Sequence, residues 1–318
     1  RYHNSSMDKA TGNPLGAGCA YIKGEIVPIA EACIPITDVG FLHSDCTYDV
    51  VSVWEGSFFR LQEHLDRFQK SYEALHMKPP LSMDEIRNVL MDIVKASGIR
   101  NAYVSFICTR GVAPKVATRD PRQYVNQFYA FCVPYVFICE DMVKGLHLMI
   151  AKDTIRIPID AVDPTVKNFH WGDFIRGLYE AYDRGGQSIV LCDAEGNLTE
   201  GPGFNLFCVK DGAVYTPAKG ALEGITRQTI LDLLAQQQDT SALLGLETHK
   251  ILFKADFLKE AQEVFLTSTA GGVMPVTRLD DQMVGDGTMG PITKRLYDAY
   301  WEEHKEGGKW CTKVEYND

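Results

Sequence analysis

AVDPTVKNFHWGD, residues 161–173, is the stretch around which the rest of the chain is organised. It sets one lysine, Lys167, between a proline turn at Pro164 and a run holding Phe169, Trp171 and Gly172. Solvated lysines are seldom packaged this way. An ammonium beside Val166, Phe169 and Trp171 is desolvated, which disfavours the charged form and leaves a nucleophilic amine near neutral pH. That is the chemistry of a Schiff-base lysine. The competing reading of this stretch alone is a lysine whose stem covers an apolar patch while its ammonium stays in water.

Working outward, 318 residues exceed what one typical core supports, so two domains or one large one are expected. Hydrophobic residues at 45% and charged residues at 23% describe an ordinary globular protein. A net charge of −10, with no dense Lys/Arg run, argues against a grip on phosphate backbones and so against nucleic acid as a partner. No window has the apolar length to span a bilayer, and RYHNSSMDKATGNP at the N-terminus lacks the apolar core of a signal peptide. The chain opens at Arg1 rather than at a methionine, which leaves open a preceding segment, a removed targeting signal included. Nine cysteines are scattered and never form a CxxC pair, which predicts reduced core thiols, a cytoplasmic setting, and neither a metal site nor a disulfide framework.

Taken in order, GCAYIKGEIVP reads as a hairpin turning at Lys23-Gly24, and TYDVVSVWEGSFFRL as a second turning at Glu55-Gly56. Between them lies the loop ITDVGFLHSD, which carries His43. LQEHLDRFQKSYEALH then places Leu61, His64, Leu65, Phe68 and Tyr72 at helical spacing. Arg67 sits in that helix beside Phe68. It either turns inward to an anion or pairs on the surface with Glu63, and the spacing alone favours the surface pair. SMDEIRNVLMDIVKAS predicts a helix with a Ser82/Glu85 capping box. NAYVSFICTRG and NQFYAFCVPYVFI read as strands around the polar loop 112–125. The charged connector CEDMVKG, 139–145, is expected to link an N-terminal domain (1–138) to a C-terminal one (146–318). Beyond it come the strands LHLMIAKD and QSIVLCD on either side of the lysine stretch and a helix near 174–184. A short strand with Glu200 follows, then a hairpin at Asp211-Gly212 and a helix entered through Gly224-Ile225-Thr226. EVFLTSTAGGVMPV is a strand running into a small-residue loop, and GPITKRLYDAYWEEH is a closing helix.

A pyridoxal phosphate enzyme needs an amine, a carboxylate for the pyridine nitrogen and a cradle for the phosphate. Lys167, the Glu200 of TEGPG and the helix N-terminus at Ile225-Thr226 have those forms. With GFLHSDCTYDVVSVWEG, FFRLQEHLDRF, DPTVKNFHWGD, NLTEGPGFN, LEGITR and TSTAGGVMP in this order, the chain resembles fold type IV pyridoxal phosphate transaminases over essentially its whole length. Within that group it looks most like the (R)-selective amine transaminases. The resemblance implies a two-domain mixed α/β fold, with a small N-terminal α/β domain and a larger C-terminal domain on a β-barrel-like core.

It further implies that Lys167 forms the aldimine with pyridoxal 5'-phosphate and shuttles the proton, and that Glu200 pairs with the pyridine nitrogen. Arg67, the backbone of Ile225 and Thr226, and Thr269 would grip the phosphate, which turns Arg67 inward after all. His43, Tyr48, Val50, Tyr103, Trp171, Ser268 and Ala270 would line the substrate pocket. Relatives place in loop 112–125 an arginine that meets the keto acid carboxylate. Here GVAPKVATRDPR does not align cleanly, and Lys115, Arg119 or Arg122 stands for that role. The implied reaction moves an amino group from an (R)-configured amine such as 1-phenylethylamine to a keto acid such as pyruvate, in a homodimer. The alternatives are a D-amino acid or branched-chain aminotransferase, an aminodeoxychorismate lyase on the same fold, and a cofactor-free binding protein.

Overall fold

Three hairpins turn on the residue pairs that the sequence marks. Lys23-Gly24, Glu55-Gly56 and Asp211-Gly212 all have positive φ at both positions, from 48° to 88°, which is the type I′ geometry matched to strand twist. The computed structural model describes residues 12–114, 118–235, 246–305 and 307–316.

In chain order the elements are β1 (Cys19–Ile22), β2 (Glu25–Pro28), α1 (Val39–His43), β3 (Cys46–Trp54), β4 (Ser57–Phe59), α2 (Leu61–Ala74), α3 (Met83–Ser97), β5 (Ala102–Val112) and β6 (Val125–Pro134). They continue with β7 (Leu146–Ile155), α4 (Gly172–Asp183), β8 (Ser188–Cys192), β9 (Glu200–Gly201), β10 (Phe204–Lys210), β11 (Ala213–Pro217), α5 (Ile225–Ala235) and β12 (Glu247–Ile251). The last are α6 (Ala255–Lys259), β13 (Glu263–Ser268), β14 (Gly272–Leu279), β15 (Gln282–Met283), α7 (Pro291–Glu302) and β16 (Cys311–Lys313). This is the mixed α/β architecture expected.

The chain divides into two units. The first holds residues up to Val136, the short segment Val166–Phe169, and the segment from His304. Its seven-stranded sheet runs β16-β4-β3-β5-β6-β1-β2. α2 and α3 cover one face, burying Leu65, Phe68, Leu90 and Ile93 against Val51, Val53, Val104 and Phe106. Ser82 caps α3 with both bonds of the capping box in place. Alternation along β3 therefore sends Asp49, Val51 and Val53 toward the helices and Tyr48, Val50 and Ser52 to the other face.

The second unit holds Phe137–Thr165 and His170–Glu303. Its nine-stranded sheet follows β12-β11-β10-β13-β14-β7-β8, with β9 on β10 and β15 on β14. β7 and β8 are parallel neighbours, so the chain between them crosses over through α4. The lysine stretch lies in that crossover.

The observed division falls between Val136 and Phe137, beside the connector 139–145. Two segments expected in the C-terminal domain pack in the first unit instead. Val166–Phe169 does so because Thr47 bridges to Asn168, and the chain end does so because β16 pairs with β4. β6 stops at Pro134, earlier than the apolar run predicts, with one further backbone bond from the Tyr135 amide to the Asn101 carbonyl at 2.9 Å.

Candidate active site

In the first unit Lys167 is held by its backbone. Thr47 Oγ1 donates to the Lys167 carbonyl at 2.6 Å and the Tyr48 amide donates to the same oxygen at 3.3 Å. The Lys167 amide in turn donates to Ser71 Oγ on α2 at 3.3 Å. Its Nζ lies 4.4 Å from the centroid of the Tyr48 ring, which stacks on Phe169 at 4.1 Å and 7°. The lysine is thus half-buried beside an aromatic pair, on a backbone tied to one strand and one helix.

One residue along β3, on the helix-facing side, Asp49 is fully buried. Arg67 Nε and Nη2 reach its two oxygens at 2.8 Å each, a bidentate fork. His64 Nδ1 meets Asp49 Oδ1 at 2.8 Å. The carboxylate can only accept, so Nδ1 carries the proton. Burial would raise the Asp49 carboxyl, but Arg67 and His64 outweigh it and hold the group well below the usual carboxylate range. Burial, with Arg67 and Lys167 nearby, pushes His64 below its ordinary value, so its imidazole is neutral at pH 7. Glu63 pairs with Arg60 and not with Arg67.

In the second unit Glu200 is buried, with both carboxylate oxygens engaged. Oε1 accepts from Arg156 Nη2 at 3.1 Å and Oε2 from the Leu222 amide at 2.9 Å. Arg156 also donates through Nη1 to Asp173 Oδ2 at 2.6 Å and lies 4.3 Å over the Phe174 ring. Asn205 Nδ2 holds the Leu222 carbonyl at 2.8 Å, and Leu222 leads into the first turn of α5. There the amides of Ile225 and Thr226 lie at a helix N-terminus, where N–H groups have no intrahelical acceptor. Arg227 beside them is buried, donates to the Pro217 carbonyl at 2.7 Å, and keeps its Nε without a partner.

Tyr48, Arg67 and Lys167 therefore come together in the first unit. Val50 and Tyr103 flank Tyr48 on the face of its sheet turned away from α2 and α3, and His43 closes α1, exposed. In the second unit Trp171 starts α4 and meets Phe174 edge-on at 5.6 Å. Ser268, which ends β13, donates to the Gly203 carbonyl at 2.7 Å and accepts from the Ala270 amide at 3.1 Å, with Thr269 between them. Of the loop cations, Lys115 lies outside the described residues, Arg119 is exposed, and Arg122 chelates Asp120. The structure adds Asp49, His64, Arg156, Asp173, Asn205 and Leu222, which sequence reasoning does not mark as site residues. An acidic residue at an inward position of an otherwise apolar strand is the one signal that could have found Asp49. Among the described residues no group of His, Cys, Asp and Glu is set to hold a metal ion, and no helix is long and apolar enough to cross a membrane.

The family profile described as amino-transferase class IV matches residues 47–279, which span every side chain above except His43. The chain belongs to the class IV aminotransferases. It is a pyridoxal 5'-phosphate-dependent enzyme. The aminotransferase is 28% identical over 299 residues to a putative branched-chain-amino-acid aminotransferase of Methanocaldococcus jannaschii, covering 92% of this chain and 98% of that one. It is 27% identical over 283 residues to a D-alanine aminotransferase of Staphylococcus haemolyticus, covering 88% and 95%. Among solved structures, the branched-chain amino acid aminotransferase of Thermobaculum terrenum (M3 mutant) superposes with a TM-score of 0.83 at 25% identity, over 94% of this chain and 98% of that one.

Proposed function

We propose that this aminotransferase takes the amino group of an (R)-configured primary amine of the 1-phenylethylamine kind and passes it to a keto acid such as pyruvate. The face of the sheet around Tyr48 carries the amine reading. Tyr48, Val50 and Ser52 on β3 stand across from Ile107, Ser105 and Tyr103 on β5, and none of the six is a cation. A substrate carboxylate calls for a charged donor, whereas an aryl group calls for aromatic and apolar area. Tyr48 and Val50 also belong to HSDCTYDV, the segment that sets this chain apart from branched-chain and D-amino acid enzymes in our reading of the sequence. His43, Tyr103, Trp171, Ser268 and Ala270 complete the proposed substrate contacts. Lys115, Arg119 or Arg122, the last paired on the surface with Asp120, would meet the keto acid carboxylate.

The donors present suit the cofactor. Arg67, the first-turn amides of Ile225 and Thr226, and the Thr269 hydroxyl match a phosphate. Glu200, with Arg156 and Leu222 aiming its oxygens, matches a protonated pyridine nitrogen. Lys167 is the amine that holds the cofactor and then carries a proton on Nζ to and from the substrate carbon. When bound, pyridoxal phosphate accepts the electron pair left on that carbon. A homodimer is part of the reading. The stripe Ile175, Tyr179 and Tyr182 on α4 is 46, 69 and 57% exposed, an apolar face suited to burial against a second copy. Light scattering that returned only a monomer would remove that part.

The names of the relatives favour a second reading, an aminotransferase of D- or branched-chain amino acids. Absorbance of the loaded enzyme separates the two. A visible band that bleaches with (R)-1-phenylethylamine and returns with pyruvate is expected. A band that ignores the amine and bleaches with D-alanine or L-leucine would replace the amine reading by the amino acid one.

A further inference from the structure

We propose that Asp173 is a positioning residue that acts through Arg156: by sharing that guanidinium with Glu200, it keeps the Glu200 carboxylate a strong enough acceptor to hold a proton on the pyridine nitrogen of the cofactor. The inference rests on the reading of Glu200 as the partner of that nitrogen.

The three groups form one buried chain within the second unit. Arg156 Nη1 donates to Asp173 Oδ2 at 2.6 Å and Nη2 to Glu200 Oε1 at 3.1 Å, and each of the three side chains is 7% exposed. The shorter bond is the one to Asp173. Arg156 is fixed between its two acceptors, with its guanidinium 4.3 Å over the Phe174 ring and its amide donating to the Cys192 carbonyl at 2.8 Å. Asp173 is fixed as well, since Oδ2 also accepts from the Ile157 amide at 2.9 Å and Oδ1 from the Phe174 amide at 2.8 Å.

A carboxylate bonded to a guanidinium is a weaker base, because the positive charge stabilises the anion. Arg156 by itself therefore works against the part given to Glu200. Asp173 supplies the opposing charge, which acts on Glu200 directly and through its hold on Arg156, and both effects raise the proton affinity of Glu200. That sign is the same whatever else meets Glu200. Other ionisable groups lie near. Arg227, in the first turn of α5, is within electrostatic reach of Glu200 and of the opposite charge on Glu223, and burial pushes the Cys192 thiol up to about 11, so it stays neutral at pH 7. Substitutions at Asp173 leave these groups in place. Asp173 also lies in the first turn of α4, where a carboxylate complements the helix N-terminus. A residue serving only the helix would leave the cofactor nitrogen unaffected.

The test uses the whole enzyme loaded with pyridoxal 5'-phosphate isotopically labelled at the ring nitrogen, whose protonation is followed by NMR across the neutral and alkaline range. In Asp173→Asn the nitrogen is expected to lose its proton about one pH unit below wild type. Asp173→Ser, which removes the same charge and keeps a hydroxyl oxygen for the Ile157 amide, stands in where Asp173→Asn does not fold. Asp173→Glu, with the charge kept, should return toward the wild-type value. Arg156→Gln removes the opposing cation and should leave the proton held at least as firmly as in wild type. In a Glu200→Gln background the effect of Asp173→Asn should fall to about half or less, because part of it passes through the Glu200 charge. An Asp173→Asn nitrogen that titrates as wild type while Glu200→Gln shifts it would overturn the proposal. So would Asp173→Asn and Arg156→Gln both moving it downward, or an Asp173→Asn effect undiminished by Glu200→Gln. A nitrogen that Glu200→Gln leaves unmoved would instead overturn the reading of Glu200 itself.

Discussion

Glu200 and Leu222 are joined by a hydrogen bond from the Leu222 amide to Oε2 at 2.9 Å, and the carbonyl of the same leucine is held by Asn205. Leu222 precedes α5 by a single turn, so the carboxylate and the first-turn amides of that helix are spaced by one short peptide segment. Asn205→Ala removes one of the two donors to the Leu222 carbonyl and leaves the Gly224 amide at 2.9 Å, at a cost of about 0.5–1.5 kcal/mol. A Cβ at Gly224 would fall 2.1 Å from Asn205 Oδ1, so Gly224→Ala displaces the same anchor. Both variants are expected to release cofactor several-fold faster than wild type, measured by dilution into a scavenging amine. Unchanged release would separate this segment from cofactor binding.

Arg156 joins two buried carboxylates, Asp173 and Glu200. Arg156→Met takes the guanidinium from both and leaves their backbone donors, a loss of about 3–5 kcal/mol where a buried pair loses one charged partner. Arg156→Lys keeps the charge and loses the fork, so it should fall between. Urea unfolding checks the order wild type, lysine, methionine, and a methionine variant as stable as wild type would contradict it.

Lys167→Ala should abolish turnover in a folded protein. The contacts that place this residue use its carbonyl and amide, with Thr47, Tyr48 and Ser71, and alanine retains all of them. Circular dichroism and a thermal melt near wild type, with activity lost, are the expected pair of results. Glu200→Gln should lower kcat at least about 100-fold while lowering cofactor occupancy much less, because an amide keeps the acceptor for Arg156 and loses the charge. Equal losses in both would reduce Glu200 to a binding residue.

Acid should destabilise the first unit in two stages. Burial lowers His64, and Arg67 with His64 lowers Asp49 against its own burial. The unfolded chain therefore binds these protons more readily, and stability falls as pH falls. For His64 the loss begins as pH drops below about 6.5, and for Asp49 below about 3.9, the unfolded values. The melting-temperature difference between wild type and His64→Asn should shrink as pH falls from 7 toward 5. The difference for Asp49→Asn should hold to about pH 4 and shrink below it. Differences independent of pH would contradict both assignments.

Local signals are legible in the sequence. The capping box of α3, the buried stripe of α2 and the three type I′ turns depend on residues a few positions apart. The lysine stretch is legible as chemistry because its aromatic neighbours are adjacent in sequence. Arg67 shows the limit. Spacing offers Glu63 as its partner, while the fold supplies Asp49, 18 residues away on a strand. Arg156 and Glu200 are 44 residues apart and Asn205 and Leu222 are 17, so no periodicity connects them. The unit to which the chain end belongs is hidden for the same reason, since the pairing of β16 with β4 leaves no trace in either segment alone.

That last pairing bears on synthesis. β4 (Ser57–Phe59) is made before the second unit and its partner β16 (Cys311–Lys313) after it, while Thr47 waits for Asn168. The first unit therefore cannot finish folding as it leaves the ribosome. Its lysine arrives only after Phe137–Thr165 of the second unit, and its sheet keeps an open edge at β4 until the rest of that unit, through Glu303, has been translated. Nascent chains are thus exposed to edge-to-edge association throughout elongation, and a tag or truncation that disturbs Cys311–Lys313 should cost yield before it costs activity.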